Sequence, residues 1–263
     1  MLSKVAETVL KRDRIIAISG LVVITLLAWL YMLHLASSMA GMEMSNMKMS
    51  MPNTQTWRIG DIILTFIMWA VMMVAMMTPS ATPMILMFAR VNRQRHTIQT
   101  PIPATVVFLC GYAIAWMAFS AGATFVQWGL HWAALLSPEL ISVSPLLGGI
   151  LLILAGAYQF TPLKYACLSR CRTPLGFLMT EWREGAKGAL IMGIRHGVYC
   201  VGCCWLLMAL LFVAGVMNLL WVALIAGYVL VEKVVPAGQW VSRAIGALMI
   251  GWGAWLLIQS LGR

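Results

Sequence analysis

The chain is a succession of long apolar runs separated by short polar ones, and the runs lie at about 15 to 36, 60 to 88, 102 to 133, 146 to 163, 188 to 214, 217 to 232 and 239 to 260. Most approach or exceed the roughly 20 residues that a helix needs to cross a bilayer. Polar backbone groups must be satisfied within the segment in hydrocarbon, so runs of this kind are expected to be helices. The pattern predicts an all-α fold: one polytopic helical bundle over 1–263 with about seven spans and no separate soluble domain. Hydrophobic residues at 62% and charged residues at 10% agree with this class.

Basic residues collect in alternate connections, which gives the bundle a direction. Lys4, Lys11, Arg12 and Arg14 precede the first span, Arg90, Arg93 and Arg95 follow the second, and Lys164, Arg170, Arg172, Arg183 and Lys187 follow the fourth. Lys233 and Arg243 flank the turn after the sixth, whereas Lys48, Arg58 and Arg263 are the basic residues of the other side. The expected amino terminus is therefore cytoplasmic and the carboxyl terminus outside. Seven spans keep every basic connection on one side, while splitting the long third run at Gly122 would not. On this reading the net charge of +10 is a topology signal and calls for no nucleic-acid partner. Ser38-Met39-Ala40 resembles a small-residue cleavage site, but the apolar run before it is longer than the roughly 7 to 15 residues of a signal peptide.

The polar stretch at 38–58, expected outside, carries Met39, Met42, Met44, Met47, Met49 and Met51. Thioethers bind Cu(I) without losing a proton, so Met42, Met44, Met47, Met49 and Met51, with His34 nearby, are candidates for metal recruitment; a simple linker is the alternative. In the second run, "MWAVMMVAMMTPSATPM", Met68, Met72 and Met76 form one four-residue row, and Met73 and Met77 another. Met72, Met73, Met76 and Met77 are candidate relay ligands, with adaptable core packing as the plainer reading. Pro79 and Pro83 each remove a backbone donor, so a kink or break is expected there.

No cysteine lies in an expected outer connection, which suits free thiols rather than structural disulfides. The fifth run carries the strongest candidate chemistry: Met192, His196, Cys200, Cys204 and Met208 recur every fourth residue, with Cys203 beside them. Residues four apart are neighbours on a helix, and thiolate, thioether and imidazole are soft-metal ligands. Four-residue steps overshoot a full turn by about 40°, so Met192 and Met208 are expected to drift off the face that carries His196, Cys200, Cys203 and Cys204. Cys167 and Cys171, near the end of the fourth run, would be a second thiol pair closer to the cytoplasmic exit. Ionisable groups within a span usually mark a pathway or site; Arg195 could instead snorkel, and Glu232 and Lys233 could pair or belong to a gate.

The segments "MWAVMMVAMMTPSATPM", "AGAYQFTPLKYACLSRCR", "GVYCVGCCWLLM", "GVMN" and the "EK" at 232–233 resemble a bacterial family of unknown function described as predicted metal-binding integral membrane proteins. The resemblance covers roughly 60 to 240. It implies a multi-pass protein of the bacterial inner membrane with a cysteine-based metal site at Cys167, Cys171, Cys200, Cys203 and Cys204, and says nothing of the Met-rich stretch.

These features predict a membrane-embedded protein that binds copper as Cu(I), with zinc as the other candidate. It would act in transport or in delivery to a copper enzyme, with a metallochaperone or that enzyme as partner, alone or as an oligomer. A thiol–disulfide oxidoreductase using Cys200 and Cys203 with Cys167 and Cys171 is the rival class, and a non-catalytic membrane subunit the third. No phosphate-binding loop and no Ser/His/Asp set is recognisable, so the expectation leans away from an enzyme.

Overall fold

A computed structural model describes residues 2–46, 58–95, 102–133, 145–235 and 238–261. Regular structure among them is entirely helical: α1 (Leu2–Asn46), α2 (Ile59–Arg95), α3 (Ile102–Trp132), α4 (Pro145–Tyr158), α5 (Pro162–Arg172), α6 (Pro174–Glu181), α7 (Gly185–Ala209), α8 (Leu211–Ala214), α9 (Leu219–Val234) and α10 (Gly238–Leu261). Five are long and apolar enough to cross a membrane: α1 over Arg14–Ser38, α2, α3, the α7–α8 unit and α10. The bent α4–α5 pair makes six if it counts as one span. The run read at 217 to 232 is α9, whose 16 residues extend about 24 Å, short of a full hydrocarbon thickness.

The expected span at 146 to 163 takes a different form. Its helix stops at Tyr158, the chain turns by 64°, and α5 starts afresh at Pro162. The local cause is readable: Thr161 caps α5 by accepting a hydrogen bond from the Lys164 amide at 3.3 Å, and Pro162 occupies the first turn, where no donor is needed. The fresh start directs α5 against α7 instead of onward in the direction of α4. By contrast, α2 continues as one helix through Pro79 and Pro83, where a kink or break was expected. Thr78, Ser80 and Thr82 hydroxyls donate to the carbonyls of Val74, Met77 and Thr78 along that stretch. Such local donors help a proline-bearing membrane helix hold its course.

Packing runs in a chain from α1 to α2, α2 to α3, and α3 to α7, with α5 on the other flank of α7, α4 paired with α10, and α9 touching α2, α5, α7 and α10. The α3–α7 contact is the closest. A Cβ placed on Gly193 would lie 2.0 Å from the Phe108 carbonyl oxygen, and one on Gly111 would lie 2.3 Å from that of Leu190. Only glycine fits at either position, and this pairing of small residues is how membrane helices let their backbones meet.

Apolar side chains lie both inside and on the outer surface of the bundle, and a few polar groups are enclosed with the core. Large apolar groups such as Leu26, Leu30, Phe125, Trp252, Trp255 and Ile258 face outward, while Gln127, Gln159, Lys164, His196, Glu232, Lys233 and Ser242 are buried. Lys164 and Lys233, read from the sequence as residues of the cytoplasmic side, therefore lie inside the molecule. Each has a partner that explains it. Lys164 Nζ is 2.5 Å from Glu232 Oε1, both side chains being wholly enclosed, and it also donates to Gln159 Oε1. Lys233 turns the opposite way, toward the thiols of α7.

Candidate metal centre

Tight apposition of α3 and α7 sets the site. With no side chain at Gly111 or Gly193 to hold the helices apart, Phe108 and Tyr112 of α3 reach the His196 ring, at centroid separations of 6.1 and 5.7 Å. Phe177 of α6 meets the same ring edge-on at 5.6 Å. His196 is buried in this aromatic sleeve, and its Nδ1 has no hydrogen-bond partner. A buried unpaired ring nitrogen is costly and uncommon in a finished core.

One turn further along α7, Cys200, Cys203 and Cys204 are fully buried free thiols. Cys203 and Cys204 donate to the Cys200 carbonyl at 3.1 and 2.9 Å. Cys200 Sγ lies 3.1 Å from the Tyr112 hydroxyl and accepts from Lys233 Nζ at 2.9 Å. The same ammonium donates to Ser80 Oγ at 3.1 Å, and Ser80 in turn donates to the Met77 carbonyl on α2.

Cys171 joins this group. The sequence placed it with Cys167 as a separate pair nearer the cytoplasm, but α5 packs against α7 and sets Cys171 beside Cys200 and Cys203. Cys167 packs against the α7 backbone, its Sγ 2.8 Å from where a Cβ on Gly202 would stand. Cys171, Cys200, Cys203 and Cys204 thus form one thiol cluster, flanked by His196, Tyr112 and Lys233. As the side chains stand, the described residues hold no group of three or more His, Cys, Asp or Glu arranged around a metal position; two of the thiols point to a carbonyl instead.

Other candidates fall on either side of this centre. Met192 and Met208, expected to drift off the face, are both buried, because α3 and α5, with α4 and α9, enclose a face of α7 broad enough to absorb the drift. Met72, Met73, Met76 and Met77 all point into the core, and the Tyr112 hydroxyl reaches the Met77 carbonyl at 3.5 Å. His34 is exposed on α1. Backbone helix extends to Asn46, but the side chains of Met42 and Met44, and all of Met47, Met49 and Met51, lie outside what the structure describes. Arg195 points away from the thiols and pairs with Glu181.

Sequence reasoning missed two residues of the site. Tyr112 carried no signal, being one aromatic in an apolar run. Lys233 was visible only as a charge at the end of a span, and its long side chain hid which way it would turn.

No curated protein and no solved structure matches the chain. Residues 66–256, a stretch that includes the methionine row, the thiol cluster and Lys233, match the family model described as PpoB2, copper chaperone, and the chain belongs to that family.

Proposed function

We propose that the protein is a multi-pass membrane protein that holds Cu(I) at the thiol cluster of α7 and α5 and passes it on, either across the membrane or to a copper enzyme. The observation that carries this reading is the convergence of Cys171, Cys200, Cys203 and Cys204, four free thiols from two helices, beside the unpartnered Nδ1 of His196. Thiolates and imidazole favour Cu(I) over hard cations. Membership of a copper chaperone family supports copper as the cargo. Zinc remains the alternative cargo.

The donors suit the cargo. Two-coordinate Cu(I) needs only two sulfurs, and a rotation about Cα–Cβ at Cys203 or Cys204 exchanges a hydrogen bond to the Cys200 carbonyl for a bond to metal. Large apolar side chains facing outward support membrane embedding. In this arrangement α9 and the α4–α5 pair complete seven spans, with the amino terminus cytoplasmic as the basic residues indicate. The buried methionines of α2, together with Met208, would line an approach from the outer Met-rich stretch at 38–58; Met192 lies toward the opposite end of α7.

Copper content separates this reading from its rivals. Protein purified anaerobically should retain about one copper or fewer per chain, and the Cys200→Ser, Cys203→Ser double variant should retain none, since the soft donors are gone; full occupancy in that variant would sink the proposal. A thiol–disulfide oxidoreductase is the second reading, favoured by the contact of Cys171 with Cys200 and Cys203. It predicts a mixed disulfide with a partner that bound copper does not suppress.

A further inference from the structure

Three ionisable side chains lie wholly or almost wholly buried near one end of α9, and their pairing is lopsided. Glu232 is committed to Lys164, with the Tyr228 hydroxyl donating to the same carboxylate oxygen at 3.3 Å. That leaves Lys233, only 7% exposed, without a carboxylate: its ammonium has Ser80 Oγ at 3.1 Å and Cys200 Sγ at 2.9 Å. The acidic groups of the α6–α7 connection do not offer one: Glu181 pairs with Arg195, and Glu184 with Arg95. A buried charge needs a compensating charge, because an isolated ion in a medium of low dielectric is strongly disfavoured. The groups placed to compensate Lys233 are sulfurs.

We infer that Lys233 is the built-in counter-ion of the metal centre, and that its fixed positive charge sets the site for Cu(I) held by two thiolates. This rests on the reading of the cluster as a copper site and adds what the lysine does there. The charges close as follows. Cu(I) with two thiolates is a complex of charge −1, and the ammonium beside Cys200 brings the total to zero inside the protein. A neutral side chain in its place leaves the complex as an uncompensated buried anion. Displacement is the opposite arrangement: the ammonium would then stand where the metal goes, compete with it, and have to leave on loading.

The Ser80 contact favours the counter-ion role. Nζ is held between α2 and α7 by one oxygen and one sulfur, so it can keep Ser80 while sharing Cys200 with a metal, and Cys171, Cys203 and Cys204 offer further sulfurs within reach of its charge. Lys233 is thus a positioning residue and not a ligand, since an ammonium has no lone pair to give.

Variants that separate charge from hydrogen bonding decide the matter. Lys233→Arg keeps the charge, Lys233→Gln keeps a donor without charge, and Lys233→Leu keeps neither and brings no metal ligand. Competitive titration of the full-length protein in detergent with Cu(I) and a chromophoric chelator should show the Arg variant within about threefold of the wild type, and Gln and Leu weaker by about tenfold or more. Melting temperatures measured without metal tell a folding defect from an electrostatic one. Tighter binding in the Leu variant would establish displacement and overturn the inference, as would Gln binding as tightly as the wild type. A measurement on the wild type alone guards against uncharged variants that fail to fold: X-ray absorption should count two short copper–sulfur bonds, and three thiolates would overturn the charge count. If the wild type binds no Cu(I) at all, the copper-site reading itself falls; if it binds and the variants match it, only the role of Lys233 does.

Discussion

His196 shows how far one residue can be argued from its surroundings. Stacking on Phe108 and Tyr112 would be fully served by a phenylalanine, so the imidazole nitrogens are surplus to packing, and Nδ1 is left unpaired in a closed space. A surplus of this kind points to use. His196→Phe should keep the aromatic stack and leave the melting temperature of the metal-free protein within about a degree or two of the wild type. Its Cu(I) affinity should fall by about tenfold, the weight of roughly 1.4 kcal/mol, if the ring contributes a ligand. Unchanged affinity would return His196 to a packing role. The Cys200, Cys203 and Cys204 grouping was legible at this scale because their spacing on one helix needs no tertiary information. Spacing alone could not join Cys171 and Lys233 to them, since each reaches the cluster from another helix; Cys171 was named with the other thiols only through the family resemblance.

Among the elements, the α3–α7 pair decides whether the site exists. Backbones meet at Gly111 and Gly193, and any side chain at either position has to push the helices apart. Gly193→Val should therefore cost about 1–3 kcal/mol or more through overpacking, seen as a lowered melting temperature. It should also release the contact between Tyr112 and Cys200, so that copper binding weakens although no ligand has been changed. A variant with normal stability and normal copper affinity would show that the helices have more latitude than their spacing implies. Hydrophobic runs announced six of the longer helical segments, because burial in hydrocarbon leaves a signal in composition. They did not announce the turn at Tyr158–Pro162. Thr161 and Pro162 start the new helix by a local cap, and a run read by its hydropathy alone passes over them. Of the kink or break expected at the prolines of α2, the break does not occur, and hydroxyl donors at Thr78, Ser80 and Thr82 accompany the continuous helix.

For the whole molecule, the proposed topology turns on charge, and two of the charges used to read it are internal. Removing Lys164 and Lys233 from the tally leaves Lys4, Lys11, Arg12, Arg14, Arg90, Arg93, Arg95, Arg170, Arg172, Arg183, Lys187 and Arg243 on the side assigned to the cytoplasm, so the asymmetry survives. Reporter cysteines at Ser45 and Gln94, in a background where the two are labelled one at a time in intact cells, test it directly. The reporter at Ser45 should react with a membrane-impermeant maleimide from outside and that at Gln94 only after permeabilisation; the reverse pattern would invert the topology and with it the direction assigned to the methionine approach.

The enclosed Lys164–Glu232 pair also bears on how the protein is made. Lys164 enters on α5, while its carboxylate arrives only with α9, after α6, α7 and α8 have been synthesised. A lone ammonium is a poor guest in hydrocarbon, so the α4–α5 segment has reason to wait near the membrane surface until α9 supplies the missing charge. On the proposed reading the candidate metal centre would complete on the same clock, since Lys233 is the very next residue after Glu232. The ion pair would then do more than fasten α5 to α9: its closure would mark the point in synthesis at which the last residue of that centre is present.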